Sequence, residues 1–351
     1  MEYDITIIGT GRVGLPLGLM LSHAGFKCAG IDRNPEIVAK VTNNEMPFLE
    51  PGFEELIKKG DFTISDDFSI LGNTRNIVIT VGTPILQHIE TDLSQIISVT
   101  NSIIPHLKNG QTIILRSTVA PKTTMFVKNY IERETGFLIG KDIYLAFCPE
   151  RIAEGKAYTE LTELPQIIGA EDEESFLNAQ SIFSRLTPNI LRTTYISAEL
   201  AKLYNNINRY VSFAIANQFA LIADYFDQDI YSILHLTNFK YPRGKIPSPG
   251  FTAGTCLRKD FGMINEAVPY TDMLLSAWKI NEYIPKFLVE NLLKRTEIKG
   301  KTISVLGYTF KRDADDVRDS LVPKLLRYLE REVPREIRVH EPHLMARPPP
   351  P

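Results

Sequence analysis

Cysteine is scarce in this chain of 351 residues, which has only Cys28, Cys148 and Cys256. They are odd in number and far apart, which argues against a disulfide framework and for a reducing compartment. No apolar run approaches the roughly 20 residues that cross a bilayer. The start, Met1-Glu2-Tyr3-Asp4, lacks the basic residues and apolar core of a secretion signal. A soluble, cytoplasmic protein is the expectation. No sign of charge dominates either. Lys and Arg number 39 against 42 Asp and Glu, a formal net charge of −3, so no global field draws in nucleic acid or an acidic membrane. An anionic ligand must be held by local charge. The six histidines are scattered. His340-Glu341-Pro342-His343 is no helical metal motif, because Pro342 breaks it, and no metal is assigned.

What is present is length for two or three domains and a hydrophobic content of 44% to fill their cores. Short β-branched runs at Ile5 to Ile8, Lys27 to Asp32, Ile77 to Thr80, Thr112 to Arg116 and Tyr144 to Phe147 alternate with helix-like spans such as Val13 to Ala24 and Asp92 to His106. That alternation predicts a parallel sheet covered on both faces. A further strand–helix–strand passage runs from Gln166 to Thr193. From Ser197 to Phe226 a long helix is predicted, with Leu200, Leu203, Ile207, Val211, Ile215, Phe219 and Ile222 recurring every three or four residues. Helices of this length join lobes or pair with a second copy more often than they close one small core. Leu257 to Leu293 reads as more helix. After a composition shift at Glu297 to Lys301 come a strand at Thr302 to Gly307, a helix at Val322 to Leu329 and a strand at Ile337 to Val339. The chain then ends in Pro348 to Pro351, and this last unit alone is too small to bury a core.

Gly9-Thr10-Gly11-Arg12-Val13-Gly14 follows the first strand and opens a helix. Gly9 permits a tight turn, Gly11 lets the backbone approach a pyrophosphate, and Gly14 lets helix and sheet pack closely. The helix amino terminus then offers N–H groups to phosphates. Asp32 ends the next strand, where its carboxylate can accept from ribose hydroxyls and repel a 2′-phosphate. NAD is favoured over NADP, and the adjacent Arg33 keeps the alternative open. The bland reading is a glycine turn that binds nothing.

Cys256 follows the small, turn-forming loop Ser248-Pro249-Gly250-Phe251-Thr252-Ala253-Gly254-Thr255 and precedes Leu257-Arg258-Lys259-Asp260. Thiols at a helix amino terminus beside basic side chains are more reactive than buried ones. Asp260 falls one turn later on the same face. For a lone cysteine, a small buried packing residue is the alternative. Lys202 and Asn206 share a face of the long helix and could steady an oxyanion, unless they are a solvated pair. Thr118 stands at the carboxyl end of a strand, where ligands bind in doubly wound sheets, or it caps the helix after Pro121. Cys148-Pro149-Glu150-Arg151 ends another strand. Glu150 and Glu154 could handle protons, or simply begin a helix as acids do.

Together these segments resemble the UDP-glucose/UDP-N-acetylmannosamine dehydrogenase family, the nucleotide-sugar 6-dehydrogenases. Gly9 to Pro16, Gly82-Thr83-Pro84 with Asp92-Leu93-Ser94, and Ser117-Thr118-Val119 look like its cofactor domain. Cys148 to Arg151 with Glu154-Gly155-Lys156-Ala157, and Ala201-Lys202-Leu203 with Asn206, resemble its substrate-facing segments. The loop to Cys256 with Lys259-Asp260 looks like its nucleophile motif. Leu306-Gly307, Phe310-Lys311 and Asp315 to Ser320 resemble the opening of its nucleotide domain. The implied fold is α/β: a Rossmann-like NAD-binding domain over 1–196, a helical dimerisation and catalytic domain over 197–296, and an incomplete UDP-sugar-binding domain over 297–351.

The resemblance implies a four-electron oxidation of a sugar's primary alcohol to a carboxylate by NAD, through a thiohemiacetal and a thioester on Cys256. Lys202, Asn206 and Asp260 would manage the oxyanion and a water, and Thr118, Glu150 and Glu154 would assist proton transfer and hydrolysis. The cofactor would meet Gly9, Gly11, Arg12, Val13, Gly14, Asp32, Arg33, Thr83 and Thr118, with Lys259 and Arg318 on phosphates. The sugar nucleotide would meet Glu150, Arg151, Lys202, Asn206, Arg209, Arg243, Phe251, Gly254 and Lys311. A homodimer through 197–226 is implied as well. Asn206 to Val211 and Tyr241-Pro242-Arg243 are similar to the branch acting on N-acetylated sugars. Thr255 stands where that branch usually carries histidine, and Lys259 is more like the UDP-glucose branch. UDP-N-acetylmannosamine is the substrate implied first, with UDP-N-acetylglucosamine and UDP-glucose behind it. Because the family continues for several more strands and helices, a non-catalytic NAD-binding and dimerisation protein is the competing expectation. A two-domain hydroxyacid dehydrogenase is a third, but it has no use for Cys256.

Overall fold

A computed structural model describes residues 2–84 and 91–344, except for the side chains of Thr255 and Arg258; the run Pro348 to Pro351 lies outside the described residues. The chain divides into two compact units, Met1–Leu203 and Tyr204–Pro351.

The first unit is built on β1 (Tyr3–Ile8), β2 (Cys28–Ile31), β3 (Phe62–Ser65), β4 (Thr74–Ile79), β5 (Thr112–Leu115), β6 (Tyr144–Phe147), β7 (Gln166–Gly169) and β8 (Ile190–Thr193). They lie in the order β3-β2-β1-β4-β5-β6-β7-β8. Between them come α1 (Gly14–His23), α2 (Pro35–Thr42), α3 (Glu54–Ile57), α4 (Ser94–Ile103), α5 (Thr123–Thr135), α6 (Ala157–Glu163) and α7 (Glu173–Phe183). Every residue of β2, β5 and β7 is buried, as strands covered on both faces must be. Successive side chains divide between two cores. Ile5, Ile7, Val78 and Ile114 pack with Leu17, Leu21 and Phe183 on one face. Ile8, Ile77, Ile79, Ile113 and Leu115 pack with Ile96, Val99, Val127 and Ile131 on the other.

The expected parallel sheet is found in six of its seven pairings, while β6 and β7 pair antiparallel, with Phe147 opposite Gly169. Arg116 shows why. Its guanidinium donates to the Cys148 carbonyl at 3.1 Å and to Gln166 Oε1 at 2.9 Å. The end of β6 and the start of β7 are thus tied at one end of the sheet, while α6 in the connection packs Ala157 and Leu161 into the core on the α1 face. β3 and α2 are elements that the hydrophobic pattern did not single out. β3 mixes Phe62 and Ile64 with Thr63 and Ser65, and only Phe62 of the four is buried.

The long helix α8 (Tyr195–Tyr225) begins in the first unit, where Glu199 accepts from the backbone N–H groups of Lys122 and Thr124, both at 2.7 Å. The second unit adds α9 (Ile230–Asn238), α10 (Thr255–Ala267), α11 (Asp272–Arg295), β9 (Thr302–Leu306), α12 (Val322–Glu330) and β10 (Glu336–His340). α9 starts at an Asp229 cap that accepts from Tyr231 and Ser232. The helical span expected from Leu257 to Leu293 is two helices. Pro269 drives Val268 into extended backbone (φ −145°, ψ 149°), because the residue before proline is disfavoured in the helical region. β9 and β10 pair in parallel from Thr302 opposite Glu336. α12 covers them, placing Leu326 against Tyr308 and Val322, and Leu329 against Val289 and Ile298.

Glu341, just past β10, accepts from the N–H groups of Tyr308 at 2.8 Å, Thr309 at 3.1 Å and His343 at 3.1 Å. Burial works against its ionisation, but these donors prevail and hold its pKa down to about 2. A folded-state value below the unfolded one adds stability that is present above the ordinary carboxylate range and fades as pH falls towards 2. Glu341→Gln should therefore destabilise the second unit by roughly 1–3 kcal/mol at pH 7, and the gap from the parent should narrow in urea melts taken towards pH 3. A gap of equal size at pH 7 and pH 3 would rule out the carboxylate as its source.

Candidate active site

The turn between β1 and α1 is built around its glycines. Gly9 has φ +90°, and a Cβ there would sit 3.0 Å from the Thr80 carbonyl oxygen. At Gly14 a Cβ would come within 1.9 Å of the Gly9 carbonyl oxygen. At Gly11 an added Cβ would meet no described protein atom within 4 Å, leaving the backbone open to a ligand. No described side chain caps α1 at Val13, and its first turn holds no acid. Asp32 arrives from the end of β2 and accepts from the backbone N–H and hydroxyl of Thr10 at 2.7 and 3.1 Å, and from Asn34 N–H at 2.9 Å. Glycine turn and acid are thereby one assembly. The turn lies where the strand order reverses between β1 and β4, the position at which doubly wound sheets bind nucleotides. A dinucleotide fits it, with diphosphate at the uncapped helix end and ribose at Asp32. Arg33 is turned to α4, donating to Ser98 and Ser102 at 3.3 and 3.1 Å and lying over the Phe68 ring. Arg12 stacks 5.0 Å over Phe48.

At the neighbouring strand ends, the buried Thr83 hydroxyl donates to the Thr118 carbonyl. Ser117 Oγ donates to the Val81 carbonyl at 2.7 Å. These bonds tie the loops after β4 and β5 together. Glu150 sits at the end of β6 and is 6% exposed. One of its oxygens takes the Arg116 guanidinium, whose Nε lies at 2.9 Å, and the other accepts from the N–H groups of Arg151 and Ile152 at 2.6 and 2.9 Å. Both oxygens are occupied within the protein. Arg151 itself reaches the Pro165 carbonyl. Glu154 lies in the turn that follows, which is braced by fully buried Glu50 through Gly155 N–H at 2.9 Å and Ala157 N–H at 3.0 Å. Arg116 and Glu50 were not singled out in the sequence. An arginine closing an otherwise apolar strand run was the available signal for the first, and Glu50 gave none.

In the second unit, α10 starts at Thr255, so Cys256 occupies its first turn, where it is exposed. Gly254 precedes it with φ +93°. A Cβ there would press 2.7 Å from the Phe310 ring, and its N–H donates to the Asp319 carbonyl at 3.2 Å. This seats the loop before Cys256 on the segment carrying Lys311 and Arg318. Arg318 forms a close pair with buried Asp316, at 2.6 Å from Nη2. One turn after Cys256, the fully buried Asp260 accepts from Asn206 Nδ2 at 2.6 Å. Lys202 precedes Asn206 by one turn of α8 and is 7% exposed, so neither is a solvated pair. Phe251 packs in the Tyr308 and Val322 cluster. Arg243 pairs with Tyr241, Nε to hydroxyl at 3.0 Å, and Arg209 lies on an exposed face of α8. A separate cavity of about 790 Å³ between α8, α9 and α11 includes none of the predicted residues. Among the described residues no group of three or more His, Cys, Asp or Glu gathers to hold a metal.

The family model for the NAD-binding domain of UDP-glucose/GDP-mannose dehydrogenases matches residues 3–187, and the model for that family's central domain matches 196–283. The chain belongs to this family. It is an NAD-dependent dehydrogenase of nucleotide sugars. It is 30% identical to the UDP-N-acetyl-D-mannosamine dehydrogenase of Pyrococcus horikoshii over 97% of its own length and 84% of that protein's. Identity to the enzyme of the same name from Methanococcus maripaludis is 32%, over 93% of this chain and 78% of the relative. A solved structure of the UDP-D-ManNAc dehydrogenase from Pyrococcus horikoshii superposes with a TM-score of 0.91 at 29% identity, covering 97% of this chain and 84% of that one. A structure of 3-hydroxyisobutyrate dehydrogenase from Mycobacterium tuberculosis shares the fold alone, at 15% identity and a TM-score of 0.56. The family match removes the hydroxyacid reading.

The Arg116–Glu150 pair is measurable. Arg116→Met should leave Glu150 buried without its cation and cost roughly 3–5 kcal/mol of unfolding free energy. The double variant Arg116→Met/Glu150→Leu should recover part of that loss. If the double variant were as unstable as Arg116→Met alone, the stranded carboxylate would not be the cause.

Proposed function

We propose that this chain is a UDP-N-acetyl-D-mannosamine 6-dehydrogenase. The substrate reading is supported by the names of the relatives that match nearly the whole chain, and by the segments at Asn206 and Tyr241. The observation that carries the chemistry is the Asn206–Asp260 hydrogen bond one helical turn from Cys256.

The glycine turn at Gly9 to Gly14 and Asp32 would hold NAD, which would supply the oxidant for two hydride transfers, one NAD molecule for each. Between them the Cys256 sulfur bonds to the aldehyde carbon and forms a thiohemiacetal, so the reactive aldehyde is not released. The second oxidation leaves a thioester. Water adds to it, the carbon–sulfur bond breaks, and the acid departs while the thiol is restored. Lys202 and Asn206 stabilise the negative oxygen at both stages, and Asp260, held by Asn206, orients the water. Thr118 and Glu154 assist proton transfer and hydrolysis. Glu150 contributes by shaping the Arg151–Ile152 turn against the substrate. Lys259 and Arg318 meet phosphates and Lys311 meets the sugar nucleotide. Residues 197–296 form the catalytic and dimerisation region and 297–351 the uridine-nucleotide region.

We also propose a cytoplasmic homodimer. No helix among the described residues is long and apolar enough to cross a membrane, and none of the three cysteines is in a disulfide. On α8 the apolar stripe is buried at Leu203 and Ile207 but open at Ile215, Phe219 and Ile222, which are 45%, 39% and 45% exposed. A partner copy would cover that stretch.

Two outcomes test the reading. With NAD and a panel of UDP-sugars, two NADH should form per sugar consumed, fastest with UDP-N-acetyl-D-mannosamine, and Cys256→Ser should abolish acid formation. Undiminished acid from the serine variant would sink the covalent mechanism. Phe219→Asp should turn a sedimenting dimer into monomers, whereas a parent chain already monomeric at micromolar concentration would remove the dimer.

A further inference from the structure

The loop that brings the chain to the head of α10 has no regular structure from Lys245 to Ala253, yet side-chain amides grip it, first at Ile246, whose N–H and carbonyl pair with Asn238 at 2.9 Å each, and again at Gly250, nearer Cys256. Asn217 of α8 is fully buried. Its Nδ2 donates to the Gly250 carbonyl at 3.0 Å and its Oδ1 accepts from the Gly250 N–H at 2.8 Å. The side-chain amide thus pairs with both backbone groups of one residue, as a neighbouring strand would. Asn281 of α11, also fully buried, fixes which way that amide points. Its Oδ1 accepts from Asn217 Nδ2 at 2.9 Å and lies 3.4 Å from the Thr252 hydroxyl, while its Nδ2 donates to the Tyr210 carbonyl at 3.3 Å. Two helices and two loop residues therefore share one hydrogen-bonded cluster. Four residues beyond Gly250, Gly254 is pinned by Phe310 and the Asp319 carbonyl. The stretch from Gly250 to Gly254 is held at both ends, and Cys256 follows two residues after the second anchor.

We infer that Asn217 and Asn281 are positioning residues for the dehydrogenase reaction: by gripping Gly250 and Thr252 they set the path of the loop that places the Cys256 sulfur. The inference rests on the reading of Cys256 as nucleophile. Neither asparagine is placed to touch the sulfur. Their effect is on where it stands, and a displacement of about 1 Å in a reacting group costs on the order of a hundredfold in rate. An aspartate at 217 could accept from Gly250 N–H, but would face the Gly250 carbonyl and Asn281 Oδ1 with no fixed donor. The pairing needs an amide.

The test uses Asn217→Leu, close to asparagine in size, in the full chain. Melting curves and NAD titration report folding. The rate of Cys256 alkylation by iodoacetamide reports the thiol directly, since Cys28 and Cys148 are buried. We expect a kcat lowered roughly 10- to 100-fold, sugar-nucleotide KM and NAD affinity within about twofold, and an altered alkylation rate. If Asn217→Leu does not fold, Asn281→Ala is measured, which keeps both bonds to Gly250 but frees the amide to turn; a smaller loss in the same direction is expected. Parent kcat and alkylation rate in a folded variant would overturn the inference, as would a rise in KM with kcat unchanged. Cys256→Ser is run alongside. Acid formation by that variant would refute the nucleophile and not the clamp, because the clamp is read from the alkylation of parent and Asn217 variant.

Discussion

The placement of Cys256 in the second unit depends on a buried hydrogen bond from Asn206 on α8 to the carboxylate of Asp260 on α10. Asp260 is fully buried, and a carboxylate removed from water needs donors to remain acceptable there. Asn206 provides one at 2.6 Å. Because Asp260 lies one turn into α10, anchoring it fixes the rotation of the helix and hence the side on which Cys256 emerges. Tyr210 stacks on Phe261 one residue further along, with ring centroids 6.1 Å apart, which fixes the same rotation by packing. The polar contact and the aromatic one constrain a single degree of freedom.

The same problem recurs wherever a loop leaves a regular element near the site. Such loops expose backbone N–H groups that have no ladder partner, and buried ones must be paired. Here acids and amides pair them. Asp32 takes Thr10 and Asn34, Glu50 takes Gly155 and Ala157, Glu150 takes Arg151 and Ile152, Glu199 takes Lys122 and Thr124, and Glu341 takes Tyr308 and Thr309. Asn217 does it at Gly250 without a charge. For Glu199 burial prevails over its donors and raises the carboxyl's pKa, while for Glu341 the donors prevail. A sheet that keeps its ligands beyond its strand ends must build precise shape from irregular backbone, and side-chain acceptors supply it.

That device explains what could be read from the sequence. Local features were legible: the glycine turn, the strands with continuous apolar runs, the long helix, and a cysteine at a helix start. Each is set by residues within one or two turns of each other. Asn206 and Asp260 stood out separately, but their bond spans 54 residues. The pairing of Arg116 with Glu150 spans 34, and that of Asn217 with Asn281 spans 64. Nothing in a hydrophobic period reports such distances. Glu150 looked like a proton carrier because a carboxylate at a strand end can be one, and only the fold shows both oxygens engaged. The break at Val268 was visible in Pro269, and was lost because the apolar spacing continues on both sides of it.

The three cysteines show how the fold confines reactivity. Burial pushes the Cys28 thiol up to about 12, and does the same to Cys148 despite the nearby Arg116 charge. Neither yields thiolate at neutral pH, and both lie in the first unit's core. There they act as small apolar residues. Cys256 alone is exposed, in the first turn of a helix. Selectivity among the thiols thus follows from burial, with no special chemistry at the two silent positions. Bringing Cys256 out of the core removes the packing that would otherwise hold it in place. An exposed thiol must take its position from its neighbours, through Asp260 behind it, Gly254 before it and the amide grip on Gly250.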